Sequence, residues 1–370
     1  MDLSFTEEQD MLRAAVARLC GDTAGLVRTL ENDPVGFDQG FWSQLAAMGL
    51  SGMLIPEEHG GSGMGLLDAV VVYEELGRSL VPSPHFVSSV LSSGVLQTAG
   101  SQEQQNEWLP RIASGGAILT PAWLEPDNGS GPEGIQLRAE TDGGTEMILT
   151  GTKRHVAFAS SADRLVLLAR TEAGVDLFLI DPATEGITLT QQLTVASDTQ
   201  YRVDLDGVRV LATDRVGSPG SGWATWHSVM LDALVLIAAQ AIGAAEAAHA
   251  LATEYSKVRH QFDKPIGAFQ SIAHYLADGI AAIDGGRVLV HQAAWSRDHG
   301  QDLATLAPMA KLFATQTCRD ISATGIQIHG GLGFTVECDA QLYFRRAKSW
   351  QLNWYDDTRL EDLIAAELLD

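Results

Sequence analysis

The sequence has few cysteines and few basic residues. Three cysteines occur among 370 residues, Cys20, Cys318 and Cys338, and none belongs to a CxxC pair. Their odd number and wide spacing argue against a disulfide framework and a structural zinc site, and suit a reducing cytoplasm. Lys and Arg number 24 against 47 Asp and Glu, so the formal charge is −23. Such an acidic chain repels phosphate backbones and anionic lipid, which makes nucleic acid and membrane surfaces poor candidates for its main partners.

Long hydrophobic runs are missing as well. The longest, residues 233–239, is far too short to span a bilayer. The N-terminus has no basic region followed by an apolar stretch, so it does not resemble a signal peptide. Internal repeats and low-complexity tracts are absent from the sequence. We therefore expect a cytoplasmic protein, and its 45% apolar residues are enough to form a large core.

Three regions differ in their hydrophobic periodicity. Residues 1–117 are mostly helical by pattern, and Thr6 with Gln9 resembles a capping box. Residues 118–216 contain short β-type runs, which favour an antiparallel β-domain. These runs are separated by turn signals at Asp142-Gly143-Gly144, Asp181-Pro182 and Asp206-Gly207. Residues 217–370 return to long Ala- and Leu-rich helical segments, sufficient for a helical bundle. The predicted fold class is α+β, with the order α, β, α.

A cationic segment joins two of the C-terminal helices. Lys257, Arg259 and Lys264 fall close together at residues 255–270 of an otherwise acidic chain. Cations at a helix C-terminus are favoured by the helix dipole, which is one interpretation. The other is an anion clamp, because a guanidinium can bind a phosphate with two parallel hydrogen bonds.

A glycine-rich segment follows a later helix, at Gln327 to Gly333. Adjacent glycines commonly end a helix. They also let backbone N–H groups approach a diphosphate closely. No predicted strand precedes them, so this is not a Rossmann fingerprint. His155, His227, His274 and His291 have no metal-ligand spacing, and no metal site is expected.

Taken together, these segments resemble the acyl-CoA dehydrogenase family over essentially the whole chain. The matching pieces occur in the family's order. They are Phe5-Thr6-Glu7-Glu8-Gln9, Gly49-Leu50 through Pro56-Glu57-Glu58-His59-Gly60-Gly61, Glu74-Glu75-Leu76-Gly77-Arg78, Leu149-Thr150-Gly151-Thr152-Lys153, Arg259-x-Gln261-Phe262-x-Lys264-Pro265-Ile266 with Phe269-Gln270, and His329-Gly330-Gly331-x-Gly333 with Tyr343-Phe344-Arg345-Arg346-Ala347.

The resemblance implies a fold, a cofactor and a set of cofactor-binding residues. The fold has an N-terminal helical domain (1–117), a β-barrel-like domain (118–216) and a C-terminal four-helix bundle (217–370). FAD binds where the β-domain meets the bundle, and its adenosine diphosphate half crosses a subunit interface. The implied FAD-binding residues are Arg259 and Gln270 on the diphosphate side, Phe262 near the adenine, Gln261 in the same segment, and Gln327, His329, Gly330 and Gly331 from the neighbouring subunit.

The resemblance also implies the reaction. A carboxylate removes the Cα proton of an acyl-CoA thioester while a hydride leaves Cβ for flavin N5. The family usually presents a Glu in a Tyr-Glu-Gly-Thr motif, and this chain has Tyr355-Asp356-Asp357-Thr358 at a longer spacing. Asp356 is the candidate catalytic base, although its side chain is shorter than that of Glu by roughly 1.5 Å. Some members carry the Glu on an earlier helix, where this chain has Ala233 beside Asp232.

Further departures fall where the family contacts the flavin ring. The family has Thr or Ser at the positions of Leu124 and Ala157, and usually Gly at the position of Asp263. The hydroxyls that would hydrogen-bond the isoalloxazine are therefore missing. This many changes in one site predict that the flavin-ring pocket of this subunit is degenerate.

Two functions follow from this pattern. The favoured hypothesis is a subunit of a heteromeric FAD-dependent acyl-CoA dehydrogenase whose homologous sibling carries the catalytic Glu. Such pairs occur in the family among actinobacterial enzymes acting on sterol side-chain CoA thioesters, which the chain resembles in its Arg-x-Gln-Phe-Asp-x-Pro-Ile segment. The alternative is an active homotetramer that uses Asp356 as base. A flavin monooxygenase of the same fold is a third possibility, and no sequence feature favours it.

Overall fold

The computed structural model describes residues 5–23, 25–141 and 146–369. Its α-helices are α1 (Glu7–Gly21), α2 (Leu26–Thr29), α3 (Gln39–Ala47), α4 (Leu66–Ser79), α5 (Ser93–Ala99), α6 (Gln102–Ala113), α7 (Gly222–Val258), α8 (Gln270–Asp298), α9 (Leu306–His329), α10 (Ala340–Leu352) and α11 (Asp357–Leu369). The predicted capping box is confirmed, because the Gln9 N–H donates to Thr6 Oγ1 and the Thr6 N–H donates to Gln9 Oε1. The residues directly before α5, Phe86–Ser92, form a π-helix.

The strands occupy the middle of the chain, as predicted. They are β1 (Leu119–Ala122), β2 (Arg138–Thr141), β3 (Glu146–Ala157), β4 (Arg164–Thr171), β5 (Gly174–Ile180), β6 (Ile187–Gln192), β7 (Gln200–Leu211) and β8 (Arg215–Val216), with a short pair β9 (His260–Gln261) and β10 (Lys264–Pro265) between α7 and α8. The turn predicted at 142–144 lies outside the described residues.

The sheet runs in the order β6-β7-β3-β2-β4-β5-β8, and β1 pairs with β4. Most pairs are antiparallel, as predicted, but β1 and β2 each run parallel to β4. A buried core that includes Leu149, Leu165 and Val203 covers one face. Among the described strands β6 and β8 end the order, and β8 has only two residues, so the sheet is open rather than a closed barrel.

The chain divides into two compact units. The sheet unit comprises Gly25–Met64 and Pro82–Ala233, and the bundle unit comprises Met1–Ala24, Gly65–Val81 and Leu234–Asp370. The secondary structure changes close to the predicted boundaries, but the residues before 117 are shared between the two units. The division into 1–117, 118–216 and 217–370 therefore stays a prediction drawn from sequence periodicity, whereas the α+β class with helical, sheet and helical regions is confirmed.

In the bundle unit, α4 and α7 cross at very close range. A Cβ on Gly77 would lie 1.9 Å from the Gln240 carbonyl oxygen, and one on Gly243 would lie 1.8 Å from that of Glu74. Only glycine permits this approach, because both contacts are with backbone atoms.

A buried charge network joins four helices of the bundle unit. Glu74 of α4 accepts from His291 Nε2 at 3.0 Å and from Arg287 Nε at 3.2 Å, both on α8. Arg287 and Arg78 both donate to Glu246 of α7. The network extends to α1, whose Arg13 donates to Glu75 at 3.0 Å. Burial alone would raise the pKa of Glu74, but the His291 hydrogen bond and the Arg287 charge hold it below its ordinary value.

Helix α7 has 37 residues and is apolar enough to cross a bilayer by length and composition. Most of its apolar window is buried inside the protein, and the core helix of a globular protein passes the same test. The helix is explained by core packing, since Leu234, Leu236 and Ile237 are buried.

Candidate functional site

The predicted clamp segment folds as a small hairpin after α7. Lys264 and Pro265 of β10 pair with Gln261 and His260 of β9. The two turn residues, Phe262 and Asp263, have φ values of 54° and 61°. A two-residue turn with both φ values positive suits the right-handed twist of a hairpin, and it is usually made by Asn or Gly. The predicted adenine-side residue Phe262 is 78% exposed at the tip.

The three cationic side chains of this segment differ in the contacts that they make. Lys257 Nζ donates to Glu254 at 2.6 Å, and Lys264 Nζ lies 4.2 Å from the centroid of the Phe269 ring. Arg259 is exposed, and none of the ion pairs, hydrogen bonds or ring contacts among the described residues engages its guanidinium. Its backbone is fixed, because its N–H donates to Tyr255 O and its carbonyl accepts from Ile266 N–H. A fixed backbone with a disengaged guanidinium suits an anion clamp.

The glycine-rich segment ends α9 with an open backbone. Gly330 has φ 62° and ψ −140°, which a residue with a side chain rarely adopts. A Cβ on Gly330 or Gly331 would meet no atom within 4 Å, so space is open beside this backbone. Gln327 is exposed on the last turn of α9, and Gln270 is exposed at the start of α8. The side-chain amides of Gln270 and Gln327 are therefore available to a ligand, whereas the Gly330 N–H already donates to the Gln327 carbonyl.

The structure brings the hairpin and the glycine segment together within one chain. The Tyr255 ring, one turn before Arg259, stacks on the His329 ring with centroids 4.3 Å apart. His329 Nδ1 also lies 2.7 Å from the Gly325 carbonyl oxygen, so its ring is already engaged. The supply of the two segments to one FAD from different subunits stays a prediction.

The segment between α10 and α11 carries the candidate base. Lys311 of α9 is fully buried, and its Nζ donates to the backbone carbonyls of Gln351 at 3.4 Å, Asn353 at 3.1 Å and Tyr355. Burial lowers the pKa of Lys311 to about 7, against the opposing charges of Asp357 and Asp356. Sequence analysis missed Lys311, although a single lysine in the apolar stretch of residues 307–315 was a usable signal.

Asp356 is the N-cap of α11. Its Oδ1 accepts the Arg359 N–H at 2.9 Å, and its carbonyl accepts the Leu360 N–H at 3.0 Å. Asp is among the best N-cap residues because its carboxylate satisfies a backbone donor that the helix leaves free. The next carboxylate, Asp357, accepts from Gln351 Nε2 at 2.6 Å. The candidate base is thus exposed and engaged in helix capping.

In the sheet unit, a buried ion pair lies next in sequence to Leu124, one of the two positions expected to contact the flavin ring. Glu125 directly follows Leu124 in the sequence, and it accepts a hydrogen bond from Lys153 Nζ at 2.6 Å. Glu125 also accepts hydrogen bonds from the backbone N–H groups of Gln136 and Leu137. Burial lowers the pKa of Lys153 to about 8 despite the Glu125 charge. Leu124 itself supplies no hydroxyl.

Ala157, the second position expected to contact the flavin ring, is the last residue of β3. The ladder between β3 and β7 shifts register between Lys153 and Val156, and His155 in this bulge has φ 55°. A bulge re-aims the side chains beside it. Ala157, like Leu124, offers no side-chain donor, so the degenerate wall expected from the sequence has no hydroxyl at either position. Ala233, at the alternative base position, is completely buried.

Two family models match most of the chain. Residues 6–116 match the acyl-CoA dehydrogenase N-terminal domain, and residues 220–353 match the acyl-CoA dehydrogenase C-terminal domain. The chain belongs to the acyl-CoA dehydrogenase family. Members of this family are FAD-dependent oxidoreductases, and FAD is the cofactor. The predictions of family, fold and cofactor are confirmed.

Relatives are similar over nearly the whole chain. Acyl-CoA dehydrogenase FadE27 of Mycobacterium tuberculosis is 33% identical over 329 residues, covering 87% of this chain and 86% of that protein. Acryloyl-CoA reductase (NADH) of Anaerotignum propionicum is 30% identical over 359 residues, covering 94% and 91%. Among solved structures, a chain of the ChsE4-ChsE5 complex from Mycobacterium tuberculosis is 29% identical with a TM-score of 0.91, covering 100% of this chain and 99% of that chain.

The described residues fit one half of FAD better than the other. The disengaged Arg259 guanidinium and the open space beside Gly330 and Gly331 suit the diphosphate, where FAD carries its negative charge. Leu124 and Ala157 offer only apolar contact to a ring that accepts hydrogen bonds. When bound, FAD supplies the hydride acceptor of the family's reaction. Arg259 and the segment at Gly330 are the residues that would hold its diphosphate, and the side chains of Leu124 and Ala157 would offer the ring no hydrogen bond.

Proposed function

We propose that this chain is a subunit of a heteromeric FAD-dependent acyl-CoA dehydrogenase. In this assembly a homologous sibling subunit carries the catalytic Glu and the flavin-ring contacts, and an acyl-CoA thioester is the substrate. This chain supplies Arg259, Gln261, Phe262 and Gln270 from the hairpin region, and Gln327, His329, Gly330 and Gly331 from the end of α9, to the diphosphate and adenine half of FAD.

The capping role of Asp356 is the observation that carries this proposal. A general base must reach the Cα proton of the substrate within hydrogen-bond distance. The Asp356 carboxylate already accepts a backbone N–H of α11, and its side chain is shorter than the family's Glu. The match to the C-terminal family model ends at residue 353, just before this segment, which supports divergence at the same place.

The kinds of relatives support the same proposal. One of the similar solved structures is a chain from a complex of two named components, ChsE4 and ChsE5. The loss of hydroxyls at Leu124 and Ala157 suits a subunit whose own flavin-ring pocket is no longer used. We also propose a cytoplasmic location, which agrees with the free thiols of Cys20, Cys318 and Cys338.

The test compares the chain alone with the chain co-expressed with a homologue that retains Tyr-Glu-Gly-Thr. Flavin absorbance per chain and acyl-CoA-dependent dye reduction are measured in both preparations, with butyryl-CoA and longer acyl-CoAs as probes. We expect weak FAD retention and no useful turnover for the chain alone. The co-expressed complex should be yellow, hold fewer than one FAD per chain and turn over substrate.

Two variants of Asp356 distinguish a role as catalytic base from a role as helix N-cap. Asp356→Asn keeps an N-cap oxygen but cannot take a proton, whereas Asp356→Ala removes both functions. Under our proposal Asp356→Asn leaves turnover of the complex unchanged. A homomeric preparation with full FAD occupancy, whose turnover is abolished by Asp356→Asn, would instead establish the alternative, an active homotetramer with an Asp base.

A further inference from the structure

The nitrogen of Lys311 is surrounded by backbone carbonyls of one short segment. The carbonyls of Gln351, Asn353 and Tyr355 alternate along the chain, and all three accept from Lys311 Nζ. We call residues 351–357 the α10–α11 joint. Three acceptors from alternate residues fix the path of the backbone through the joint, and Lys311 itself is held by the buried face of α9.

The backbone of the joint has an unusual conformation. Trp354 and Tyr355 are consecutive non-glycine residues with φ values of 57° and 70°. Such residues persist only where the surrounding structure enforces them. Tyr355 is buried, and its own backbone carbonyl is one of the three that accept from Lys311 Nζ. The enforced path delivers Asp356 to the N-terminus of α11.

We propose that Lys311 is the positioning residue of the α10–α11 joint and keeps Asp356 in its helix-capping place. This proposal rests on the proposed function and deepens it. It explains how the carboxylate that is the candidate for the family's base is held as a helix cap. Lys311 acts through the backbone and touches neither substrate nor flavin in this proposal.

The charged groups that face Lys311 come from the joint and its neighbours. Asp356 and Asp357 act on it electrostatically. Lys348 of α10 donates to the Gln351 side chain at 2.8 Å. Arg319 lies further along α9, and Asp357 acts on it electrostatically. Lys348 therefore provides a matched control, because it contacts a joint side chain but none of the three carbonyls.

The experiment is hydrogen exchange followed by mass spectrometry on the full chain, read on peptides covering residues 351–361. In Lys311→Met we expect exchange at Arg359 and Leu360 at least tenfold faster than in the wild type. Lys348→Met should exchange at the wild-type rate. Peptides from β3 and β4 report whether global folding is unchanged.

A pH profile of the wild type gives a second readout. Burial lowers the pKa of Lys311 to about 7, whereas a lysine exposed by opening of the joint has its ordinary value near ~10.4. Opening therefore takes up a proton above pH 7, and after correction for intrinsic exchange the protection should rise with pH, up to about tenfold per unit. A joint that opens without exposing Lys311 gives a flat profile.

Two outcomes would overturn the proposal. One is equal exchange in Lys311→Met and the wild type, and the other is a flat wild-type profile between pH 6.5 and 8.5. The profile needs no variant, so it decides the question if Lys311→Met does not fold. Turnover is not a readout here, so an active homomeric enzyme would refute the proposed function and leave this test unaffected.

Discussion

At the residue scale, the same carboxylate can serve as a base or as a helix cap, and its hydrogen bonds decide between them. The resemblance makes Asp356, at a longer spacing, the candidate for the family's Glu. In the structure its Oδ1 accepts the Arg359 N–H. Arg259 is the opposite case, because its guanidinium engages none of the described residues and stays available to an anion.

We expect Asp356→Ala to lower the free energy of unfolding by about 1 kcal/mol, because α11 loses its N-cap. Asp356→Asn should lower it by only a few tenths of a kcal/mol, since the amide oxygen can still accept the Arg359 N–H. Urea unfolding of the two variants and the wild type measures the difference. Equal losses in both variants would contradict the cap.

We expect Arg259→Lys to weaken FAD retention by roughly tenfold, because a lysine keeps the charge but loses the planar pair of donors. Arg259 is exposed, so the stability of the fold should not change. Flavin fluorescence titration of the assembled complex measures the affinity. Lys257→Ala is the control, because Lys257 pairs with Glu254 and should not affect FAD. Unchanged affinity in Arg259→Lys would restore the helix-dipole interpretation.

At the scale of the elements, charge networks and close glycine contacts bind the helices of the bundle unit. Glu74 links α4 to α8 through His291 and Arg287, and Glu246 adds α7. Breaking a buried pair leaves an uncompensated charge, which destabilises a protein by about 3–5 kcal/mol. The helices are therefore joined by specific polar contacts as well as by apolar packing.

We expect the stabilising effect of Glu74 to depend on pH. Its folded-state pKa is lowered, so its carboxylate holds a proton less tightly in the folded than in the unfolded chain. The stabilisation is therefore complete above the unfolded value of about 4.3 and is lost as pH falls through the lower folded value. Urea unfolding of the wild type and Glu74→Gln from pH 7 to pH 3 measures this: the gap in unfolding free energy should narrow only below about pH 4.5. A constant gap across this range would argue against it.

At the scale of the whole molecule, the bundle unit exposes large apolar side chains while the chain is strongly acidic. Phe262, Phe334 and Val336 are each more than 70% exposed, and Tyr275 and Phe313 are 58% and 42% exposed. Exposed apolar residues mark an interaction surface where they form one contiguous patch. The charge of −23 opposes the association of identical copies by electrostatic repulsion.

We expect a dimer or tetramer formed through residues 224–370. Sedimentation at micromolar concentration measures the state, and a stable monomer would contradict it. Because repulsion between two copies of charge −23 is screened by salt, self-association should strengthen from about 0.05 to 0.5 M NaCl. Association with a sibling subunit of lower negative charge should depend on salt much less.

Much of the architecture could be predicted because its signals are local. The capping box at Thr6 and Gln9, the β-type runs from residue 119 onward and the long Ala-rich helix α7 each follow from spacing within a few turns of chain. The family could be predicted because several short motifs occur along the chain in the family's order. The parallel pairs of β1 and β2 with β4 could not be predicted, because sequence alternation does not report strand direction.

The sequence by itself determined the fold class, the family and its cofactor, and the segments at Arg259 and Gly330 that suit a diphosphate. Only the tertiary structure decided that Asp356 caps α11, that Lys311 fixes the joint before it, and that Tyr255 stacks on His329. Each of these depends on contacts between residues distant in sequence or on the direction of a single hydrogen bond. Periodicity records which face of an element is buried, but it carries no information about which polar atom meets which across the fold.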